Sequence, residues 1–332
     1  MTTTSTPTEN TTIRPSDAFS TVHPFIQIAL DATSLDLFKT CPRKYFYSMI
    51  LQREPVEQSH HLSFGIALHS ALELYHKTKA KGQSHEAAVF EATKFALQYG
   101  CTWKDGICTL WESNDPKGIK TRASLVRSVV WYLDYYRNDD IQPLTTVGGN
   151  PAVELSFRLH TGIYSPSGEE YLLCGHLDLA GEVNGSIWIV DHKTCSSLSK
   201  FFFDGFSPHT QMTIYTIAGK IIFNQPVSGV IIDGIETGVT YTRFGRGFAM
   251  RTTAQLEEFL SALPYWLGQM SNMGMEYGKT GKSTCYPMNE SACDKYGGCK
   301  FRNICTADPC IRDKILTQKT KVRIWNPLET RE

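Results

Sequence analysis

The 332-residue chain has no excess of charge of either sign: 33 Lys and Arg balance 33 Asp and Glu. No global basic field draws it to a polyanion, which disfavours a protein that coats nucleic acid by charge alone. A nucleic-acid partner would have to be held by a local basic groove or through metal ions. No apolar run approaches the roughly 20 residues of a membrane span, and the first residues lack the apolar core of a secretion signal. A cytoplasmic location is therefore expected, where ten cysteines should stay reduced. Internal repeats are also missing. So are the close cysteine pairs usual in zinc modules.

What is present is enough for one large core with insertions or for two smaller domains, with 41% hydrophobic residues. Met1 to about Ser20 is rich in Thr, Ser, Pro and Asn and reads as a disordered tail. The organisation expected is a tail over 1–25, a helical region over 26–145, a core over 146–280 and a cysteine-rich segment over 281–332. Thr33 or Ser34 can cap a helix that Pro42 interrupts. Further helices are predicted over 64–80, 84–100 and 121–137, the last burying Val126, Val130, Trp131 and Leu133. The period then switches to two. Val153, Leu155, Phe157 and Leu159 alternate with Glu154, Ser156, Arg158 and His160, a half-buried strand. Strands over 171–183 and 186–194 follow, then a helix over 208–222, a strand over 230–235 and a long helix over 253–277. The core order is helix, three strands, helix, strand, and everything after Cys285 reads as loop.

The second and third strands are joined by Asn184-Gly185, a strong hairpin signal. That turn sets Val183 against Ser186, Leu179 against Val190 and Asp178 against Asp191. Opposed carboxylates at a buried strand repel each other, and a divalent cation resolves the conflict. Mg²⁺ or Mn²⁺ suits such hard oxygen ligands and can also bind a phosphate oxygen and a water. Lys193, two residues past Asp191, points to the same face and can stabilise charge developing on phosphorus. The bland alternative is a structural ion network in which Lys193 neutralises one acid. His69 and Glu73 lie one turn apart on the second helix, as do Gln211 and Tyr215 on a later one. An imidazole at 69 could complete a metal shell, although a helical His is more often surface or core.

Half the cysteines crowd the C-terminal end. Cys293, Cys299 and Cys305 recur every six residues, a spacing that fits no helix face, through a segment that contains Gly297 and Gly298. Metal is expected there, as zinc or as an iron–sulfur cluster. Cys41, beside Pro42, is the best remote fourth ligand, with Cys285 and Cys310 as local rivals. Cys101, Cys108, Cys174 and Cys195 read as small apolar residues.

Five segments in order, SLDLFKTCPRKYFY (34–47), FGIALHSALELY (64–75), GHLDLA (175–180), VDHKT (190–194) and QMTIY (211–215), resemble the RecB-like nucleases of the PD-(D/E)XK superfamily. The iron–sulfur branch is the most similar, as in the AddB nuclease domain, CRISPR-associated adaptation exonucleases and phage-encoded relatives. The resemblance implies an α/β, restriction-endonuclease-like fold with a mixed central sheet. It implies metal ligation by His69, Asp178, Asp191 and the His192 carbonyl. Lys193 would be the catalytic lysine, followed by the Gln211 and Tyr215 motif. Cys41, Cys293, Cys299 and Cys305 would hold a [4Fe–4S] cluster.

The expected function is metal-dependent hydrolysis of DNA phosphodiester bonds, as an exonuclease on single strands or free ends in recombination or repair. A recombination or CRISPR-adaptation partner protein would fit that setting, as would a host cytoplasm for a phage-encoded chain. Arg243, Phe244, Arg246 and Arg251 are one candidate wall of the strand groove, a solvated loop being the equal alternative. Two rivals are a non-cleaving protein that binds DNA ends as a recombination or adaptation accessory, and a zinc-stabilised DNA-binding module.

Overall fold

A computed structural model describes residues 16–330 except 57–58, 105–106, 147 and 295–297. The N-terminal half holds β1 (Ala29–Leu30), α1 (Ala32–Thr40), α2 (Pro42–Tyr45) with a π-turn (Phe46–Ile50), β2 (Arg53–Pro55), α3 (His60–Ala80) and α4 (His85–Gln98). A small hairpin, β3 (Thr102–Lys104) and β4 (Ile107–Thr109), precedes α5 (Arg122–Tyr135) and β5 (Gln142–Pro143). The core follows as β6 (Val153–Tyr164), β7 (Glu170–Val183), β8 (Ser186–Cys195), α6 (Lys200–Asp204), α7 (Thr210–Phe223), β9 (Val227–Thr237), β10 (Thr242–Ala249) and α8 (Thr253–Thr280). Short α9 (Arg302–Cys305), α10 (Arg312–Lys319) and β11 (Thr320–Val322) end the chain. Among the described residues no helix is long and apolar enough to cross a membrane.

The expected core order is present, set in a mixed seven-stranded sheet. Strands β6, β7 and β8 form an antiparallel meander, β9 joins β8 in parallel after the α7 crossover, and β10 returns along β9. Asn184 and Gly185 both have positive φ, 50° and 74°, as a two-residue hairpin turn requires. The pairing runs as the turn dictates, from Val183↔Ser186 to Leu179↔Val190. There it stops. Leu172 and Leu173 pair with β6 on one edge and with β1 on the other, so β1 occupies the edge that β8 has left. The splay between β7 and β8 opens the sheet just where Asp178 and Asp191 stand.

Helices cover both faces. On one, α1, α7 and α8 pack with Phe46, Met212 and Leu267 over Leu177 and Ile189. On the other, α3, α4 and α5 interlock through Leu68, Ala92 and Val129, reaching Ile235 on β9.

Several expectations shift. The cap of α1 is Asp31, whose carboxylate accepts from the Ser34 N–H at 2.9 Å, rather than Thr33 or Ser34. In α5 the buried face is Leu125, Val129, Tyr132 and Leu133, while Trp131 is exposed. The stripe turns by one residue because the Tyr132 hydroxyl reaches a buried acid on β9. The segment past Cys285 holds two short helices and β11, which pairs with β2. Of the expected tail, residues 1–15 lie outside the described residues. Residues 16–25 are packed, with Ala18 and Phe19 buried and Phe19 bridged to Gln27. Cys101 is in a disulfide, so not every cysteine is a free thiol.

Lys120 is a buried cation, 5% exposed, with Nζ 4.4 Å from the Phe64 ring centre. Burial lowers its pKa from 10.5 to about 8. The unfolded chain keeps that proton up to its ordinary value while the fold releases it earlier, so stability should rise with pH between the two. Lys120→Met should stabilise the protein at neutral pH and flatten that rise. Urea melts at about pH 7 and about pH 10 check this.

Candidate active site

Five elements converge where β7 and β8 splay. β7 brings Asp178, β8 brings Asp191 and Lys193, α3 brings His69, α7 brings Gln211 and Tyr215, and all six line one cavity of about 460 Å³. The fifth element, β6, brings Glu154, which is 4% exposed, and its carboxylate lies with His69 and Asp178 in a set whose ligand atoms are all within 4.8 Å of one another. His69 Nδ1 is 3.3 Å from Asp178 Oδ2, the same oxygen that accepts from the His192 backbone N–H at 2.9 Å. Lys193 Nζ lies 2.6 Å from Asp191 Oδ2. Gln211 Nε2 donates to the Tyr215 hydroxyl at 2.9 Å. Gly175 leaves the room this needs: a Cβ there would meet Phe157 Cζ at 2.7 Å and Tyr215 Cε1 at 3.5 Å.

The two aspartates are held in different states. Burial pushes both carboxyls up, but at Asp178 the His69, His192 and Lys193 charges outweigh it and hold the group well below the usual range. At Asp191 burial prevails, and the neighbouring Asp178 charge adds to it against Lys193, so this carboxyl is raised. Burial lowers His69, and the Asp178 charge more than reverses that, for a net rise. Burial and both aspartates push Tyr215 far up, so its hydroxyl keeps its proton. Three carboxylates and an imidazole crowd one buried place with a single lysine. This donor set fits a hard divalent cation, which neutralises the oxygens and takes a neutral imidazole.

His192 faces the other way. Its ring is buried, with Nδ1 3.4 Å from Asp233 Oδ2 and the Tyr132 ring at 5.7 Å. Asp233 has no exposed surface; it accepts from the Tyr132 hydroxyl, and Arg246 lies at 3.5 Å. Arg246 also grips Asp139 through both nitrogens, at 2.7 and 2.6 Å. The expected basic wall is therefore not formed. Arg246 is tied into this network, and Arg251 donates to the Phe206 and Met250 carbonyls at 2.9 and 2.8 Å. Arg243 and Phe244 line a separate surface hollow with Trp131 and Tyr135. The cause is that β10 is a strand, not a loop, so alternate residues turn to opposite faces.

Cys41, Cys293, Cys299 and Cys305 line a second cavity of about 270 Å³, floored by Phe301. Cys285 and Cys310 do not line it. The Cys285 sulfur is 3.3 Å from the Thr280 hydroxyl, and Cys310 is exposed. Burial raises the Cys305 thiol to about 11, with Cys299 and Cys41 adding to it. Among the described residues, no three cysteine sulfurs lie within 4.8 Å of one another. A single zinc ion bound at about 2.3 Å per sulfur would hold them roughly 4 Å apart.

The structure thus brings together His69, Asp178, Asp191, Lys193, Gln211 and Tyr215, and separately the four cysteines. It does not bring in Glu73, which pairs with Lys77 at 2.8 Å. Glu154 is the residue sequence reasoning missed. Alternation along β6 assigned it to solvent, whereas its φ of 49° turns it inward between the Val153↔Leu179 and Leu155↔Leu177 pairs, level with Asp178. A register counted back from the β6–β7 turn would have reached it, but the pairing shifts between His160 and Tyr164.

A solved structure described as "Crystal structure of SSO0001" aligns over 71% of this chain and 77% of its own, at 12% identity and a TM-score of 0.29. No curated protein matches the sequence. The PD-(D/E)XK nuclease superfamily matches residues 29–306, from β1 through the last of the clustered cysteines. With an Asp on one strand, an Asp-His-Lys run on the next and a restriction-endonuclease-like sheet beneath them, the chain belongs to the PD-(D/E)XK nuclease superfamily.

Proposed function

We propose that this protein is a metal-dependent DNA exonuclease of the RecB-like, iron–sulfur branch, acting on single strands or free ends. The observation that carries the reading is the meeting of His69, Glu154 and Asp178 ligand atoms within 4.8 Å, beside the Asp191 and Lys193 pair. His69, Glu154, Asp178 and Asp191, with the His192 carbonyl, would hold Mg²⁺ or Mn²⁺. When bound, such an ion polarises a phosphate oxygen and supplies a nucleophilic water at neutral pH. Lys193 offers its ammonium to the charge that grows on the phosphoryl oxygens. Tyr215, kept protonated and with its hydroxyl oriented by the Gln211 amide, would offer a hydrogen bond within the cavity. The four cysteines that line one cavity would hold a [4Fe–4S] cluster. Because Cys41 and Cys305 are far apart in sequence, such a cluster ties the N-terminal helices to the C-terminal segment and has a structural role. A recombination or adaptation complex would be a fitting setting for this activity.

Digestion of end-labelled single- and double-stranded DNA tests the function. Mn²⁺ or Mg²⁺ should support stepwise shortening from ends, and chelator should stop it. Persistent full-length DNA across a metal titration would refute the exonuclease reading and favour a DNA-end-binding protein. The cluster has its own readout. Protein purified without oxygen should be brown and bleach when iron is chelated, and a colourless, zinc-loaded protein would overturn the assignment.

A further inference from the structure

The cavity around Asp178 and Asp191 is lined in part by the segment after β11: Arg323, Trp325, Pro327 and Glu329. After β11 this strap has no regular secondary structure, yet it is fastened along its length. The Arg323 N–H donates to the Gln52 carbonyl at 2.8 Å, the Ser16 hydroxyl to the Trp325 carbonyl at 3.2 Å, and Arg158 to the Leu328 carbonyl at 2.6 Å. Pro327 is buried. The Trp325 side chain lies against the Asp31 carboxyl that caps α1, and the Arg323 guanidinium sits 5.0 Å from the Trp325 ring centre.

We propose that this strap selects single strands, with Trp325 as the stacking face for an unpaired base next to the scissile phosphate and Arg323 as the attractor of its backbone. The proposal rests on the nuclease reading and names the residues that set its substrate class. A cavity of about 460 Å³ has the size of a small-ligand pocket, which suits a nucleotide. A pinned strap beside it leaves the second strand of a duplex no place. Stacking on an indole suits every base, because each has a π face, so the selection is for strandedness and not for sequence. Arg323 shares its charge with Glu54 at 3.1 Å, which holds the guanidinium at the ring. Glu329 puts a negative charge on the same wall, so phosphates are favoured near Arg323.

The test measures binding of labelled oligothymidine and of a blunt duplex to the full chain in chelator, by fluorescence anisotropy. Trp325→Ala should weaken single-strand binding at least about fivefold and leave duplex binding unchanged. Trp325→Phe, which keeps an aromatic face, should stay within about twofold of the parent. Arg323→Gln, an exposed change that leaves the core intact, should weaken the single strand and steepen no other effect. Unchanged single-strand affinity in both Trp325→Ala and Arg323→Gln would overturn the proposal. So would a chain ending at Val322 that cleaves single strands, duplexes and bis(p-nitrophenyl) phosphate all faster, which would make the strap a plug. Failure of the nuclease reading shows separately, as parent protein that binds oligothymidine but cleaves nothing in Mn²⁺.

Discussion

Lys193→Ala should lower metal-dependent DNA cleavage at least about a hundredfold, the usual cost of removing one donor aimed at transition-state charge. The lysine is 26% exposed at its side chain and 2.6 Å from a fully buried carboxylate, so its ammonium is fixed beside the proposed metal ligands. Among the described residues lining the cavity, Arg323 on the strap is the only other Lys or Arg. Removal also withdraws the charge that opposes burial at Asp191, so that carboxyl is raised further and metal is held less well. Saturating Mn²⁺ should therefore recover part of the loss but not the rate of the chemical step. Asp191→Ala should be as severe, and neither change should abolish DNA binding. Single-turnover cleavage with metal titration reads both effects. Full cleavage by both variants, in preparations free of contaminating nuclease, would remove the mechanism proposed above.

Asp233→Ala should destabilise the fold by about 3–5 kcal/mol, the range for deleting one member of a buried ion network. Asp233 has no exposed surface and is met by His192, Tyr132 and Arg246, so its loss strands the His192 and Tyr132 donors in the interior while Arg246 keeps Asp139. For a chain of this size the melting temperature should fall on the order of 10 °C. Asp233→Asn keeps the shape and one acceptor and should cost less. Thermal melts of the two variants and the parent check the order. A melting temperature for Asp233→Ala equal to that of the parent would show that the network is not coupled to stability.

Much of the site was legible because local rules fixed it. Asn184-Gly185 permits few turns, the turn sets the register, and the register carries Asp178 and Asp191 to the same end of the β7–β8 pair. His69, Gln211 and Tyr215 followed from a resemblance in motif order and reach the same cavity. Glu154 was hidden by a backbone irregularity at its own position, a φ of 49° that turns it inward against the alternation of β6. Strand β10 was hidden by its glycines and arginines, which read as loop although Gly245 and Gly247 face Leu198 and Phe203 at close range. The strap was hidden because residues 323–329 carry no periodicity at all. Their position depends on scattered hydrogen bonds to Gln52, Ser16 and Arg158.

Asp191, His192 and Lys193 are consecutive, yet the outer two open into the cavity while the middle one is sealed into the opposite helical layer. A single inserted or deleted residue in β8 would exchange these roles, putting an imidazole where the acid belongs and two charges among Leu68, Tyr132 and Val129. Frame-keeping in this strand is thus enforced twice, by chemistry on one side and by solubility of the interior on the other. Length variation here should be rejected before any loss of catalysis can be noticed, because the mis-threaded chain would not fold.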